Sequence, residues 1–137
     1  MKKETTKEDY LRAIYHLEEE EKRKEVKSIE IAGYLKISKP SVSEMARKLV
    51  KGRLIKFGSY EKIILTAKGL KEARKMTHRH RVIEMFLADI LKLSPEETHE
   101  EAHNLEHAFS DKAISSINKL LKNPRFCPHG KPIPKVE

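Results

Sequence analysis

Apolar residues recur every three or four positions along most of this chain and gather into two short β-prone runs. Leu11, Ile14 and Leu17 predict a first helix, for which "TTKE" offers a capping box between Thr5 and Glu8. The charged run "EEEEKRKE" then predicts its solvated end. Ile29, Ala32 and Leu35 predict a short second helix. A third is predicted from Ser38 as cap, Pro40 in the first turn and a stripe of Val42, Met45 and Leu49, with Gly52 as its stop. Leu54 to Phe57 and Lys62 to Thr66 are β-prone, and the glycine-led "GSYE" between them reads as a hairpin turn.

Thr66 can cap a long helix whose stripe runs Leu70, Ala73, Val82, Ile83, Phe86 and Ile90. "SPEE" at Ser94 to Glu97 is a second capping box, opening a helix with Ala102, Leu105 and Phe109 on its apolar face. A last helix is predicted from Ser110 to near Lys122, carrying Ala113, Ile114, Ile117 and Leu121. The four prolines of "NPRFCPHGKPIPKVE" predict an irregular tail. The expected class is therefore mostly α, with two helices, a tight turn and a hairpin forming a winged helix-turn-helix.

Charge divides this pattern in two. Residues 1–75 hold 20 Lys/Arg against 12 Asp/Glu, whereas residues 76–137 hold 9 of each together with six of the seven histidines. The basic part is suited to a polyanion and the neutral part to a metal. No apolar run approaches the roughly 20 residues that span a bilayer, and no apolar stretch follows the first lysines, so neither a membrane partner nor a secretory signal is expected. A single cysteine, Cys127, allows no intrachain disulfide and suits a reducing cytoplasm.

The third helix would present Ser38, Pro40, Ser41 and Ser43 with Glu44, Arg47, Lys48 and Lys51, hydroxyls and cations of the kind that reach phosphates and base edges. The metal-binding groups lie later. His103, Glu106 and His107 stand at i, i+3 and i+4, with His99 one turn earlier; His80 and Glu84 form another such pair, and "CPHG" adds Cys127 and His129. "HEEAH" also spells the zinc-protease pattern with Glu100 as base, which keeps a small zinc metalloenzyme as an alternative. A metal-independent winged-helix DNA-binding protein with structural histidines is the other.

The segments "EDYLRAIYHLEEE", "SKPSVSEMARKL", "LTAKG", "HRHRVIEMFL", "HEEAHNLEHAFSD" and "CPHGKPIP" together resemble the diphtheria-toxin-repressor family of metal-dependent transcriptional regulators. The resemblance covers nearly the whole chain and implies a short form without the carboxy-terminal SH3-like domain. It implies a DNA-binding domain over residues 1–75 and a metal-binding and dimerisation domain over 76–137. Asp9, His103, Glu106 and His107 match the primary site; His80, Glu84 and His99 match the ancillary site of iron-type members; Glu84, Cys127 and His129 match a secondary site of streptococcal manganese-type members. Arg12 stands where a two-metal manganese site has a Glu, and Glu44 replaces a Gln among the DNA-contacting positions. The implied function is that of a cytoplasmic homodimer, activated by Mn2+ or Fe2+ (with Zn2+ or Co2+ binding in vitro), that holds a palindromic DNA operator and represses metal-uptake genes.

Overall fold

A computed structural model describes residues 6–23 and 25–136, which fall into two compact units, Met1–Met76 and Thr77–Glu137. In the first unit, helix α1 (Lys7–Tyr15) begins one residue later than the sequence predicts. Thr6 is the cap: its hydroxyl accepts from the Asp9 amide at 3.3 Å, and the Asp9 carboxylate accepts from the Thr6 amide at 2.8 Å. Thr5 lies outside the described residues. The register makes Asp9, not Glu8, the third helical residue, the position from which a carboxylate reaches back to the cap.

The charged run "EEEEKRKE" is a solvated helix end and loop from Glu21 onward, with Glu21, Lys22, Arg23 and Glu25 exposed, but its first three glutamates are half-buried. They lie in a π-helical turn, His16–Glu20, in which His16 lies between Glu20 (2.9 Å) and Glu21 (2.7 Å) and stacks on Tyr34. Glu18 turns inward and accepts from the Leu65 amide at 3.2 Å, with burial raising its carboxyl above the usual range. In helix α2 (Ser28–Leu35) the buried residue is Ile31, while Ile29 is 64% exposed. Apolar residues occupy several sides of this short helix, so their spacing alone could not fix the inward face.

Lys36 leaves α2 in the left-handed region at φ 56°, and Ile37 and Ser38 complete a tight turn into helix α3 (Lys39–Lys51). Ser38 caps α3 as predicted, accepting from the Ser41 amide at 3.2 Å, and Val42, Ala46 and Leu49 bury its inner face. Strands β1 (Ile55–Phe57) and β2 (Ile63–Leu65) pair antiparallel with Ile55 opposite Leu65 and Phe57 opposite Ile63. Their inward residues join Leu11, Ile14, Leu17 and Val26 in one core.

Helix α4 (Ala67–Asp89) starts where Thr66 accepts from the Gly69 amide at 3.0 Å. The residues of the second unit form their own core from Val82, Ile83, Leu87, Ala102, Ile114, Cys127 and Ile133. Ile90, predicted inside, is 47% exposed; α4 has ended, and Leu87 at 2% continues the stripe instead. Helix α5 (Pro95–Leu105) takes its cap from Ser94, which accepts from the Glu97 amide and donates to the Glu97 carboxylate, so the reciprocal half of the expected box is absent. Helix α6 spans Asp111–Leu120, and the proline-rich tail folds back on itself through a bridge between Phe126 and Pro132. Among the described residues no helix is long and apolar enough to cross a membrane.

Gly69 marks the tightest junction of the first unit. A β-carbon there would overlap the carbonyl of Leu54, which is backbone and cannot swing away. Gly69→Ala is expected to lower unfolding stability by about 3 kcal/mol, the upper range for overpacking, as read from urea denaturation; a change under about 0.5 kcal/mol, typical of surface positions, would show that the junction yields.

Candidate metal centre

Four consecutive residues of α4, His78, Arg79, His80 and Arg81, are all buried, at 6, 8, 4 and 7% exposure. Successive helical side chains point in different directions, so each needs its own partner. His78 Nδ1 donates to the Pro134 carbonyl at 2.6 Å and Arg81 to the Pro132 carbonyl at 2.6 Å, which fasten the tail along α4. Arg79 donates to the Glu106 carbonyl at 2.8 Å, to the Phe109 carbonyl and to the Asp111 carboxylate at 2.7 Å. That guanidinium fixes the turn between α5 and α6. The string "HRHR" is the sequence signal for this clamp, and reading only its second histidine missed it.

The turn matters because it carries two of the predicted ligands. α5 ends at Leu105 with Glu106 as its cap, still in helical conformation and donating to the Ala102 carbonyl, so the i, i+3 spacing of His103 and Glu106 holds while His107 lies beyond the helix. Glu106 is nevertheless 3% exposed, with His103 Nδ1 at 3.5 Å and His107 Nε2 at 3.6 Å from the same oxygen, Oε1. Its other oxygen accepts from His80 Nδ1 at 3.0 Å. Nδ1 donates that bond, which turns Nε2 to the other side of the ring.

Nε2 faces a second group. His80 Nε2 lies 3.2 Å from His99 Nδ1 and 3.6 Å from Glu84 Oε1. Glu84 Oε2 has His129 Nδ1 at 3.2 Å and His99 Nδ1 at 3.4 Å, yet neither meets hydrogen-bond geometry, and this buried oxygen has no hydrogen-bond partner. His129 in turn donates from Nε2 to the Pro95 carbonyl at 2.8 Å, which turns its Nδ1 toward Glu84 and Cys127. Cys127 Sγ stands 4.0 Å from that nitrogen, held by a turn whose Gly130 adopts φ 81°. Burial raises the Glu84 carboxyl, but its contact with His99 and the charges of His80 and His129 outweigh that effect and hold it below the usual carboxylate range.

His80, Glu84 and His99 thus bring ligand atoms within 4.8 Å of one another, as do Glu84, Cys127 and His129. An orphaned buried carboxylate oxygen ringed by imidazole nitrogens fits a divalent cation, which would satisfy the donors simultaneously. The two sets share Glu84, so they adjoin in one candidate centre. The link from His80 to Glu106 joins that centre to His103 and His107. Asp9 belongs to the first unit, where its Oδ2 accepts from Thr6 and its Oδ1 from Arg12 at 2.6 Å.

Of the predicted DNA-reading residues on α3, Ser38, Pro40, Ser41, Glu44, Arg47, Lys48 and Lys51 are exposed, and Ser43 is half-buried. Ser38 and Ser41 also share a hydroxyl contact of 2.8 Å at the helix cap. Exposed Lys39, in the first turn, went unremarked in the sequence, although its place beside Ser38 and Pro40 was the available signal.

Residues 4–63 match the N-terminal DNA-binding domain of iron-dependent repressors, and residues 66–135 match their metal-binding and dimerisation domain. The chain belongs to the iron-dependent repressor family. It is 38% identical to an uncharacterized HTH-type transcriptional regulator of Methanocaldococcus jannaschii over 84% of this chain and 91% of that one. It is 36% identical to the iron-dependent repressor IdeR of Mycobacterium tuberculosis over 94% of this chain and 55% of IdeR. The structure of the manganese regulator SloR superposes with a TM-score of 0.85 at 38% identity, over 97% of this chain and 61% of SloR. The chain therefore spans little more than half the length of IdeR and SloR.

The family is one of DNA-binding repressors and not of enzymes, which removes the protease reading of "HEEAH". Geometry agrees: the two histidines of that pattern serve different neighbours, His99 meeting His80 and Glu84, and His103 meeting Glu106.

Glu84→Gln should weaken cation binding at the shared centre by more than about 100-fold, since removing even an outer hydrogen-bond partner of a metal ligand costs about 10–100-fold. Equilibrium titration with Co2+ also tests the sulfur: Cys127→Ser should abolish any sulfur-to-metal charge-transfer absorption while leaving nitrogen ligation intact. An unaltered Co2+ spectrum and affinity in both variants would place the cation elsewhere.

Proposed function

We propose that the protein is a metal-activated, homodimeric DNA-binding regulator that represses metal-uptake genes in the cytoplasm. The observation that carries this reading is the Glu84 oxygen, buried without a hydrogen bond amid imidazole nitrogens, in the portion that matches a metal-binding and dimerisation domain. In this reading residues 1–75 read DNA and residues 76–137 bind metal and form the dimer.

The activating cation is Mn2+ or Fe2+; carboxylates and imidazoles suit both, and Zn2+ or Co2+ would bind the same donors in vitro. His103, Glu106 and His107 hold it together with Asp9, while His80, Glu84, His99, Cys127 and His129 form the second centre. When bound, the cation supplies the positive charge that draws these donors together. Arg79 keeps Glu106 in place by fixing its carbonyl, and His80 orients the carboxylate. Asp9 sits on α1, whose Tyr10 hydroxyl donates to the Ser41 carbonyl in the first turn of α3 at 3.2 Å. Engaging Asp9 thereby restrains the helix that carries Ser38, Pro40, Ser41, Ser43, Glu44, Arg47, Lys48 and Lys51 toward DNA. A ligand shifts such an equilibrium only by its differential affinity for the restrained state, and the Asp9 bond provides that difference. Two-fold symmetry of the dimer implies a palindromic operator.

Selection of random-sequence duplexes on the Mn2+-loaded protein should recover a palindrome, and gel retardation by that duplex should require Mn2+ or Fe2+. Binding should fall by about 10³-fold or more between 50 and 200 mM salt if six or more phosphates are neutralised per dimer. Asp9→Ala should keep helical content and dimerisation yet lose most of the metal-stimulated retardation. Equal retardation with and without metal would instead support metal-independent DNA binding.

A further inference from the structure

The carboxylate that the proposed function assigns to the cation is already engaged within its own helix. Asp9 Oδ2 accepts from the Thr6 amide at 2.8 Å and from the Thr6 hydroxyl at 3.0 Å; Asp9 Oδ1 accepts from Arg12 Nη2 at 2.6 Å. The Asp9–Arg12 pair is one helical turn long and poorly exposed, with 10% and 15% of the two side chains accessible. The Thr6 bonds serve the helix end and are compatible with a ligating oxygen, because a carboxylate has about four acceptor positions. Arg12 is different, since it brings a permanent positive charge against the very oxygen that faces away from the cap.

We infer that Arg12 is an internal competitor for Asp9, a resident cation that sets the concentration of free metal at which Asp9 is recruited. The inference rests on Asp9 being a metal ligand. A divalent ion arriving at Asp9 must either displace the guanidinium or bind beside it; displacement breaks a charge-assisted hydrogen bond, and coexistence places two cations against one carboxylate. Both routes weaken metal binding, so the sign of the effect does not depend on which is followed. Arg12 thus determines the threshold of the response without touching the metal. Before binding, the same pair keeps Asp9 ordered and neutralised on α1, so a poorly exposed carboxylate is not left unpaired.

The test is a double-mutant cycle on the full chain, read as Mn2+ binding by loss of the free-ion electron paramagnetic resonance signal, with helical content as the folding control. Arg12→Gln should lower the free Mn2+ at half occupancy by about three- to tenfold, the range expected for a partly screened ion pair. Arg12→Lys, which keeps the charge, should stay near the wild-type threshold and also covers the case in which the glutamine variant folds poorly. Asp9→Asn should weaken binding, and Arg12→Gln should then have no further effect, because its action runs through Asp9. Wild-type or weaker Mn2+ binding by Arg12→Gln, alongside weakened binding by Asp9→Asn, would overturn the competitor role and leave Asp9 as a ligand. Unchanged binding by Asp9→Asn would overturn both. Tightening that persists in the Asp9→Asn background would show a general charge effect and sink the inference as well.

Discussion

The second unit depends on one buried cation that is not a metal, the guanidinium of Arg79. It reaches the carbonyls of Glu106 and Phe109 and the carboxylate of Asp111 at once, gripping the end of α5 and the start of α6 from α4. Helix ends leave carbonyls without intrahelical partners, and a five-donor planar group is well matched to collect them. Because the Glu106 backbone is fixed in this way, its carboxylate can stand between His80 on one side and His103 and His107 on the other. Taking the guanidinium away would free that turn, and with it the geometry that makes three imidazoles meet one carboxylate.

The same logic of outer partners selecting inner lone pairs recurs around Glu84. His80 Nδ1 donates to Glu106 and His129 Nε2 donates to the Pro95 carbonyl, so the other nitrogen of each ring turns toward Glu84. The Glu84 oxygen among them is buried without a hydrogen bond, an arrangement that is costly unless a cation joins it. The fastening of the tail by His78 and Arg81 brings Cys127 into this neighbourhood, and the positive φ of Gly130 lets the short "CPHG" turn present the thiol and the imidazole to the same side. The residues nearest the candidate ligands are therefore backbone carbonyls and arginines rather than further histidines or carboxylates.

Much of the fold could be read in the chain because it follows from local rules. The caps at Ser38, Thr66 and Ser94, the stop at Gly52 and the hairpin around "GSYE" each depend on a few adjacent residues, and each formed. Periodicity also grouped Val42 with Leu49, and Val82 with Ile83, on inward faces. Where the reading failed, the local signal was degenerate. Ile29 and Ile31 both suit a short, largely apolar helix; Thr5 and Thr6 both can cap; and Glu18, at the start of an otherwise solvated acidic run, turns inward to the Leu65 amide far along the chain.

For the candidate centre, the sequence by itself determined which donors exist and their pairing along single helices, because a turn of 3.6 residues puts His80 near Glu84 whatever surrounds them. It could not decide that α5 stops at Leu105, that Glu106 turns to meet His80, or that the His99 and Cys127 sets converge on one carboxylate. Those outcomes depend on hydrogen bonds between segments 19 to 56 residues apart, such as His80 with His99 and His78 with Pro134. No spacing rule reaches that far. Only when the carbonyls of Pro95, Glu106, Pro132 and Pro134 have been placed by tertiary packing does each ring or guanidinium have a partner to choose, and that choice leaves ring nitrogens beside Glu84 where a cation can use them.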